Sequence, residues 1–353
     1  MKKVLFATTA LVLTAGVAAA EVTVSGDGRM GVRYDGQKFD ADGIETVGNE
    51  WNFNSRARVT FTLSGQTDGG LEFGGSFRAD QAGDSAASNG AAYGLEGSVY
   101  ISGAFGKIEM GDVVGASEAL FGDFYEVGYS DLTSVGGTMI VGELSDDIPY
   151  LTGDNGGFVW GNVKSALAVT PTSSGSALTT TTVDVAYSSG PNLLYTGTFG
   201  AFSVAASMSD GKAGGADASQ EYAVAAAYTF GGNYTVGMGY EVVDADVADV
   251  DMLTLAGVAK FGNTSVKAAV SKLGKDADAN YYGLGFSSVF GATTVGGYVQ
   301  KVDDKSTDNE DVTWYGLGAE YDLGGGAVVK GGIADNDLSG TDAVADLGIK
   351  FSF

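Results

Sequence analysis

Neither cysteine nor histidine occurs among the 353 residues, and proline occurs only three times. Without an imidazole base, the serine and aspartate hydrolases that depend on one are disfavoured, as are most zinc sites. Without cysteine there are no disulfides, so a chain that leaves the cytoplasm must take its stability from another source, such as a closed hydrogen-bonded sheet. Positive charge is also scarce, with 19 Lys and Arg against 44 Asp and Glu. That balance excludes nucleic acid as a partner, since its phosphates are bound through cationic surface. What is abundant is glycine, at 57 residues, with 18 Phe and 17 Tyr. Glycine weakens helices and aromatics favour strands, so the class is all-β.

The chain opens with Lys2 and Lys3, runs through apolar residues from Val4 to Val17 broken by Thr8, Thr9 and Thr14, and reaches Ala18, Ala19 and Ala20. A basic start, a short apolar stretch and a small-residue end predict a secretory signal peptide over 1–20, with Glu21 as the mature N-terminus. A spanning helix needs roughly 18 apolar residues, more than this stretch offers. Without Lys2 and Lys3 the 19 basic residues become 17 against 44 acidic, a formal charge of −27.

From residue 21 on, the pattern has period two. Val22, Val24, Met30, Val32 and Tyr34 alternate with Thr23, Ser25, Asp27, Arg29 and Arg33; Trp51, Phe53, Ala57, Val59, Phe61 and Leu63 alternate with Asn52, Asn54, Arg56, Arg58, Thr60 and Thr62. One face is apolar and the other polar, over lengths that suit a membrane strand. Tyrosines at both ends of the apolar stripe, as at Tyr222, Tyr228, Tyr234 and Tyr240, fit two aromatic girdles. Short glycine-rich turns (103–106, 231–233, 262–263, 291–292, 324–326) alternate with longer acidic connections such as 244–251 and 303–311.

The resulting expectation is sixteen strands, near 22–34, 50–64, 71–80, 91–102, 107–113, 192–198, 201–208, 220–230, 234–242, 252–261, 264–272, 280–290, 293–301, 312–322, 327–334 and 342–353. The alternation is blurred at 293–301. An even count puts both chain ends on the side of the short turns, and a barrel of this size holds an aqueous lumen. The small inward residues Ala223, Ala225, Gly237, Gly239, Gly283 and Gly285 read as the lining of an open bore.

One connection, about 114–191, is far longer than the rest and therefore a candidate for function. Its first half carries Glu118, Asp123, Glu126, Asp131, Glu143, Asp146, Asp147 and Asp154 with no basic residue, among the apolar Leu120, Phe121, Phe124, Tyr125, Val127 and Tyr129. All five arginines, Arg29, Arg33, Arg56, Arg58 and Arg78, fall on the first three strands at inward positions. Arginine facing lipid costs several kcal/mol, so the inward assignment is also the cheap one. An acidic loop folded inward would face these guanidinium groups and create a transverse field that filters solutes by polarity. The plainer reading of the arginines is cross-strand pairing with Asp27, Glu72 and Asp80.

The runs WNFNSRARVTFTLSG (51–65), SGAFGKIEMGD (102–112), GASEALFGDFYEVGYSDL (115–132), DIPYLTGD (147–154), GAFSVAASMSDGK (200–212), FGATTVGGYVQ (290–300) and GGIADNDL (331–338) resemble the Rhodobacter-type general, non-specific porins of alphaproteobacteria, and the resemblance covers nearly the whole chain. It implies a homotrimer of 16-stranded antiparallel transmembrane β-barrels, residues 21–353 here, with short periplasmic turns and a long third loop folded into the lumen. The home it implies is the outer membrane of a Gram-negative bacterium, among membrane lipid and lipopolysaccharide. The function it implies is passive diffusion of small hydrophilic solutes and ions, with weak cation preference expected from the acids. Carried over, the constriction acids are Glu118, Asp123, Glu126 and Asp131, and the wall cations Arg29, Arg56, Arg58 and Arg78. No cofactor is required, though family members hold calcium on loop carboxylates, here matched by Glu118 and Asp154. The last strand, ending in the aromatic Phe353, resembles the assembly signal of outer-membrane proteins. The stretch 158–190 is longer than the family connection. The competing readings are a plugged structural or adhesive barrel and a substrate-specific porin; an outer-membrane enzyme is disfavoured by the missing histidine.

Overall fold

The computed structural model describes residues 20–34, 36, 38–39, 45–47, 51–82, 97–132, 192–209, 212–213, 216–217, 220–244, 249–275, 278–305, 311–337 and 342–353. The expected signal peptide up to residue 19, strand residues 91–96, and all of 133–191, with Glu143, Asp146, Asp147, Asp154 and the 158–190 stretch, lie outside them.

Sixteen strands form one closed barrel: β1 (Glu21–Tyr34), β2 (Trp51–Gln66), β3 (Glu72–Ala82), β4 (Gly97–Gly103), β5 (Gly106–Gly111), β6 (Asn192–Phe199), β7 (Phe202–Ser209), β8 (Gln220–Phe230), β9 (Tyr234–Asp244), β10 (Asp249–Phe261), β11 (Thr264–Lys275), β12 (Ala279–Phe290), β13 (Thr293–Asp304), β14 (Val312–Gly324), β15 (Ala327–Asn336) and β16 (Val344–Ser352). Each strand pairs antiparallel with its neighbours in sequence, and β1 closes on β16 with Arg29 opposite Lys350 and Val32 opposite Leu347. The Phe353 amide donates to the Gly26 carbonyl at 2.8 Å, and the Gly26 amide donates back at 3.3 Å. Closure leaves no unpaired sheet edge, which is how a cysteine-free sheet satisfies its backbone in lipid.

Alternation sends the apolar set outward. Val24, Met238, Leu255, Leu284, Leu317 and Leu347 are all exposed on the outer wall. Aromatic rings gather at both rims: Tyr34 and Trp51 lie 5.2 Å apart on the long-loop side, and Phe202, Tyr228, Phe230, Tyr234 and Phe261 form a chain of contacts on the short-turn side. The apolar core lies inside the barrel instead, where Ala116, Phe121, Phe124, Val127 and Leu132 of the β5–β6 connection pack against inward residues of the wall. This explains the blurred pattern at 293–301. Tyr281, Tyr298 and Trp314 face inward and are buried, so large rings occur on both faces of that stretch of wall.

Candidate constriction site

The arginines stand where the alternation puts them. On the inner face of β1 and β2, Asp27 is directly opposite Arg58 and Arg29 opposite Arg56; on β3, Arg78 is opposite Thr60. Asp27 takes up part of this charge, with its carboxylate 3.1 Å from Arg56 Nη2 and 3.9 Å from Arg58 Nε. Glu72 does not share in it, because its register partner Gln66 lies eight residues, about 26 Å, along β2 from Arg58. The side chain of Asp80 lies outside the description.

The loop enters the lumen after β5 through a short helix, α1 (Ala116–Phe121). Gly115 precedes it in an extended conformation, Glu118 sits in its first turn where the helix dipole favours an acid, and Gly122 ends it at φ 65°, a left-handed value that glycine adopts without strain. The helix is pinned at its start, where the Ala116 amide donates to Ser207 Oγ on β7 at 2.9 Å. It is pinned at its end by Lys267 of β11, which donates to the Gly122 carbonyl. The same ammonium lies 4.6 Å from the centre of the Phe124 ring, and the Glu118 and Asp123 carboxylates act on its charge.

The next turn is fastened by charge. Glu126 is 2.8 Å from Lys350 of β16 and 3.5 Å from Lys330 of β15. Burial alone would raise the Glu126 carboxyl, but the two lysines outweigh it and hold it below the ordinary carboxylate value. Tyr125 lies beside Lys330, 5.3 Å from ammonium to ring centre; burial, with the Glu320 and Glu126 carboxylates, pushes its phenol up to about 12. Beyond it, Asp346 of β16 accepts from the Tyr129 amide at 3.2 Å, the Ser130 amide at 2.8 Å and the Ser130 hydroxyl at 2.6 Å. The Tyr298 hydroxyl donates to the Leu132 carbonyl at 3.4 Å, and the Asp131 carboxylate acts on the same phenol.

The inward glycines correct one expectation. Gly237, Gly239, Gly283 and Gly285 do not line open water. Phe121 covers Gly237, Ser117 covers Gly239, and Phe124 covers both Gly283 and Gly285. A Cβ at Gly283 would stand 2.6 Å from the Phe124 ring, and one at Gly348 would stand 2.7 Å from Tyr129, so at both places the loop comes as close as a missing side chain permits. Ala223 and Ala225 of β8 are likewise buried, on the wall against which α1 packs.

The four expected acids are thus spread along the loop. Glu118 and Asp123 act on Lys267, Glu126 on Lys330, Lys350 and, across the gap, Arg29, and Asp131 on Tyr298. Lys267, Lys330, Lys350 and Asp346 were missing from the expected site. Alternation alone places each of them inward, but it cannot say that the loop arrives there. For calcium, Glu118 is described and Asp154 is not. Among the described residues no three acidic side chains gather into a group that could hold a metal ion, so they do not by themselves fit a calcium site.

The chain matches the Gram-negative porin family over residues 7–341. It is 51% identical to a porin of Rhodobacter capsulatus, covering 94% of this chain and 100% of that one. A solved porin structure is 49% identical over the same shares, with a TM-score of 0.68. A solved Rhodopseudomonas blastica porin variant shares the fold at 21% identity and a TM-score of 0.64. The chain therefore belongs to the Gram-negative porin family. It is an outer-membrane channel for small hydrophilic solutes, and not an enzyme.

Proposed function

We propose that solutes and ions diffuse passively through a water-filled bore whose narrowest part lies between the loop acids Glu118, Asp123, Glu126 and Asp131 and the wall cations Arg29, Arg56, Arg58 and Arg78. The observation that supports this most is where the loop's described anchors fall. Those given above lie on β7, β11, β13, β15 and β16, with Tyr129 also packing against Gly31 of β1, while the arginines stand on β1 to β3. Carboxylates and guanidinium groups across water make a field that orients polar solutes and slows apolar ones.

Cation preference is weak in this account. Lys267, Lys330 and Lys350 offset the loop acids they touch, and the excess of 44 acidic residues over the 17 basic ones left without Lys2 and Lys3 acts through salt whose Debye length is about 8 Å at ~0.15 M. The working unit is a homotrimer inserted among lipid and lipopolysaccharide after removal of residues 1–20. Purified protein added to a planar bilayer should give stepwise conductance in groups of three. Insertion without resolvable conductance would favour the plugged or adhesive barrel.

A further inference from the structure

Three cations stand in direct cross-strand register at the edge of the bore. Lys350 of β16 is opposite Arg29 of β1, and Arg29 is opposite Arg56 of β2. Neighbouring strands lie about 4.8 Å apart, so the row spans roughly 10 Å. Like charges directly opposite each other on a sheet are destabilising. The two outer members are relieved: Arg56 by Asp27 at 3.1 Å, and Lys350 by Glu126 at 2.8 Å. Arg29 is not. Among the described residues it makes no hydrogen bond or ion pair, and its Nε is buried without a partner. Arg56 and Arg58 repel its charge, and Glu126 and Tyr129 attract it without forming a bond to it.

A guanidinium fork is matched in shape by a carboxylate or a phosphate, and hydrogen bonds between such charged partners are the strong ones. The flanking Arg56 and Lys350 are already held in place by their own acids, so an oxyanion at Arg29 would meet a formed setting. We propose that Arg29, flanked by Arg56 and Lys350, is a transient binding site for the carboxylate or phosphate group of a permeating solute. This rests on the reading that these residues face the bore. It adds a substrate class to that reading: small organic acids and phosphorylated solutes pause at this row, although the pore as a whole prefers cations.

The test is single-channel conductance of the intact protein as chloride is replaced stepwise by inorganic phosphate, and separately by acetate, at constant potassium and ionic strength. In the wild type, conductance should fall along a saturating curve. Arg29→Gln should raise the midpoint by about tenfold or more, and Arg29→Lys, which keeps the charge and loses the fork, by less. Lys107→Gln removes one lumenal cation, paired with Glu109 at 2.6 Å, and should leave the midpoint unchanged. Saturation with phosphate but not acetate would narrow the site to phosphorylated solutes. A wild-type curve that follows simple mixing, or a Lys107→Gln effect equal to that of Arg29→Gln, would overturn the proposal. A wild type that does not conduct at all would instead refute the open pore on which it rests. Wild-type-like heat-shifted migration of each variant on a gel establishes that its barrel has formed.

Discussion

The two sides of the inner wall use the same alternation for opposite ends. From β7 round to β16 the inward positions include glycines and buried rings, Gly239, Gly283, Gly296, Tyr298 and Gly348 among them, beside the charged anchors Lys267, Lys330, Lys350 and Asp346, and the loop lies on them with its rings filling the space that absent side chains leave. On β1 to β3 the inward positions carry all five arginines, and Arg56 and Arg58 reach Asp27 on the same wall. In the proposed reading the first side is covered by the loop and the second faces the bore.

The contrast breaks most severely if the covered wall is filled. Gly283→Leu with Gly296→Leu would occupy the places of the Phe124 and Tyr125 rings, and overpacking of this kind costs about 1–3 kcal/mol per site. The loop should lift toward the arginines and single-channel conductance should fall severalfold. Thr62→Leu, on the opposite wall, should change it little. Equal losses from the two changes would show that the walls do not differ.

A smaller effect is expected from the anchor at Asp346. Asp346→Ala leaves the Ser130 hydroxyl and the Tyr129 and Ser130 amides without their acceptor. At about 1–3 kcal/mol per unsatisfied group, hydrogen exchange at these two amides should quicken roughly fivefold to a hundredfold, while the barrel amides keep their protection. Unchanged exchange at Ser130 would mean that other contacts hold this turn.

How much of this was legible follows from what alternation carries. It fixed sixteen strands and the inward face of every arginine, because a slip of one residue would have turned Arg29 and Arg56 into the bilayer. It equally placed Lys330, Lys350 and Asp346 inward. What it could not carry was the identity of whatever lies over a face. Gly283 and Gly285 read as open bore because a glycine under a phenyl ring and a glycine under water look alike in sequence. The apolar residues of 120–129 were the available clue, since a loop bearing Phe121, Phe124 and Tyr125 needs seats, and a row of inward glycines supplies them.

The smallest effect expected is that of pH. Glu126 titrates below the ordinary carboxylate value when the loop is seated, so its bond to Lys330 and Lys350 stabilises the seated loop fully above that value and is lost as pH falls through the lowered one. Because Glu126 is substantially exposed, the contribution is under about 1 kcal/mol. An acid titration of exchange at the Glu126 and Val127 amides should show a step below the ordinary carboxylate range, absent in Glu126→Gln. A step that persists in that variant would belong to another group.

The central claim is that loop acids face arginines across the bore and bias the ions that pass. Its most direct test is the zero-current potential across a salt gradient, measured at low ionic strength on the variant in which Glu118, Asp123, Glu126 and Asp131 are all replaced by Gln or Asn. The account predicts a shift toward anion preference, larger at low salt than at high. A reversal potential equal to that of the wild type at low salt would contradict it, because the loop acids would then not line the path.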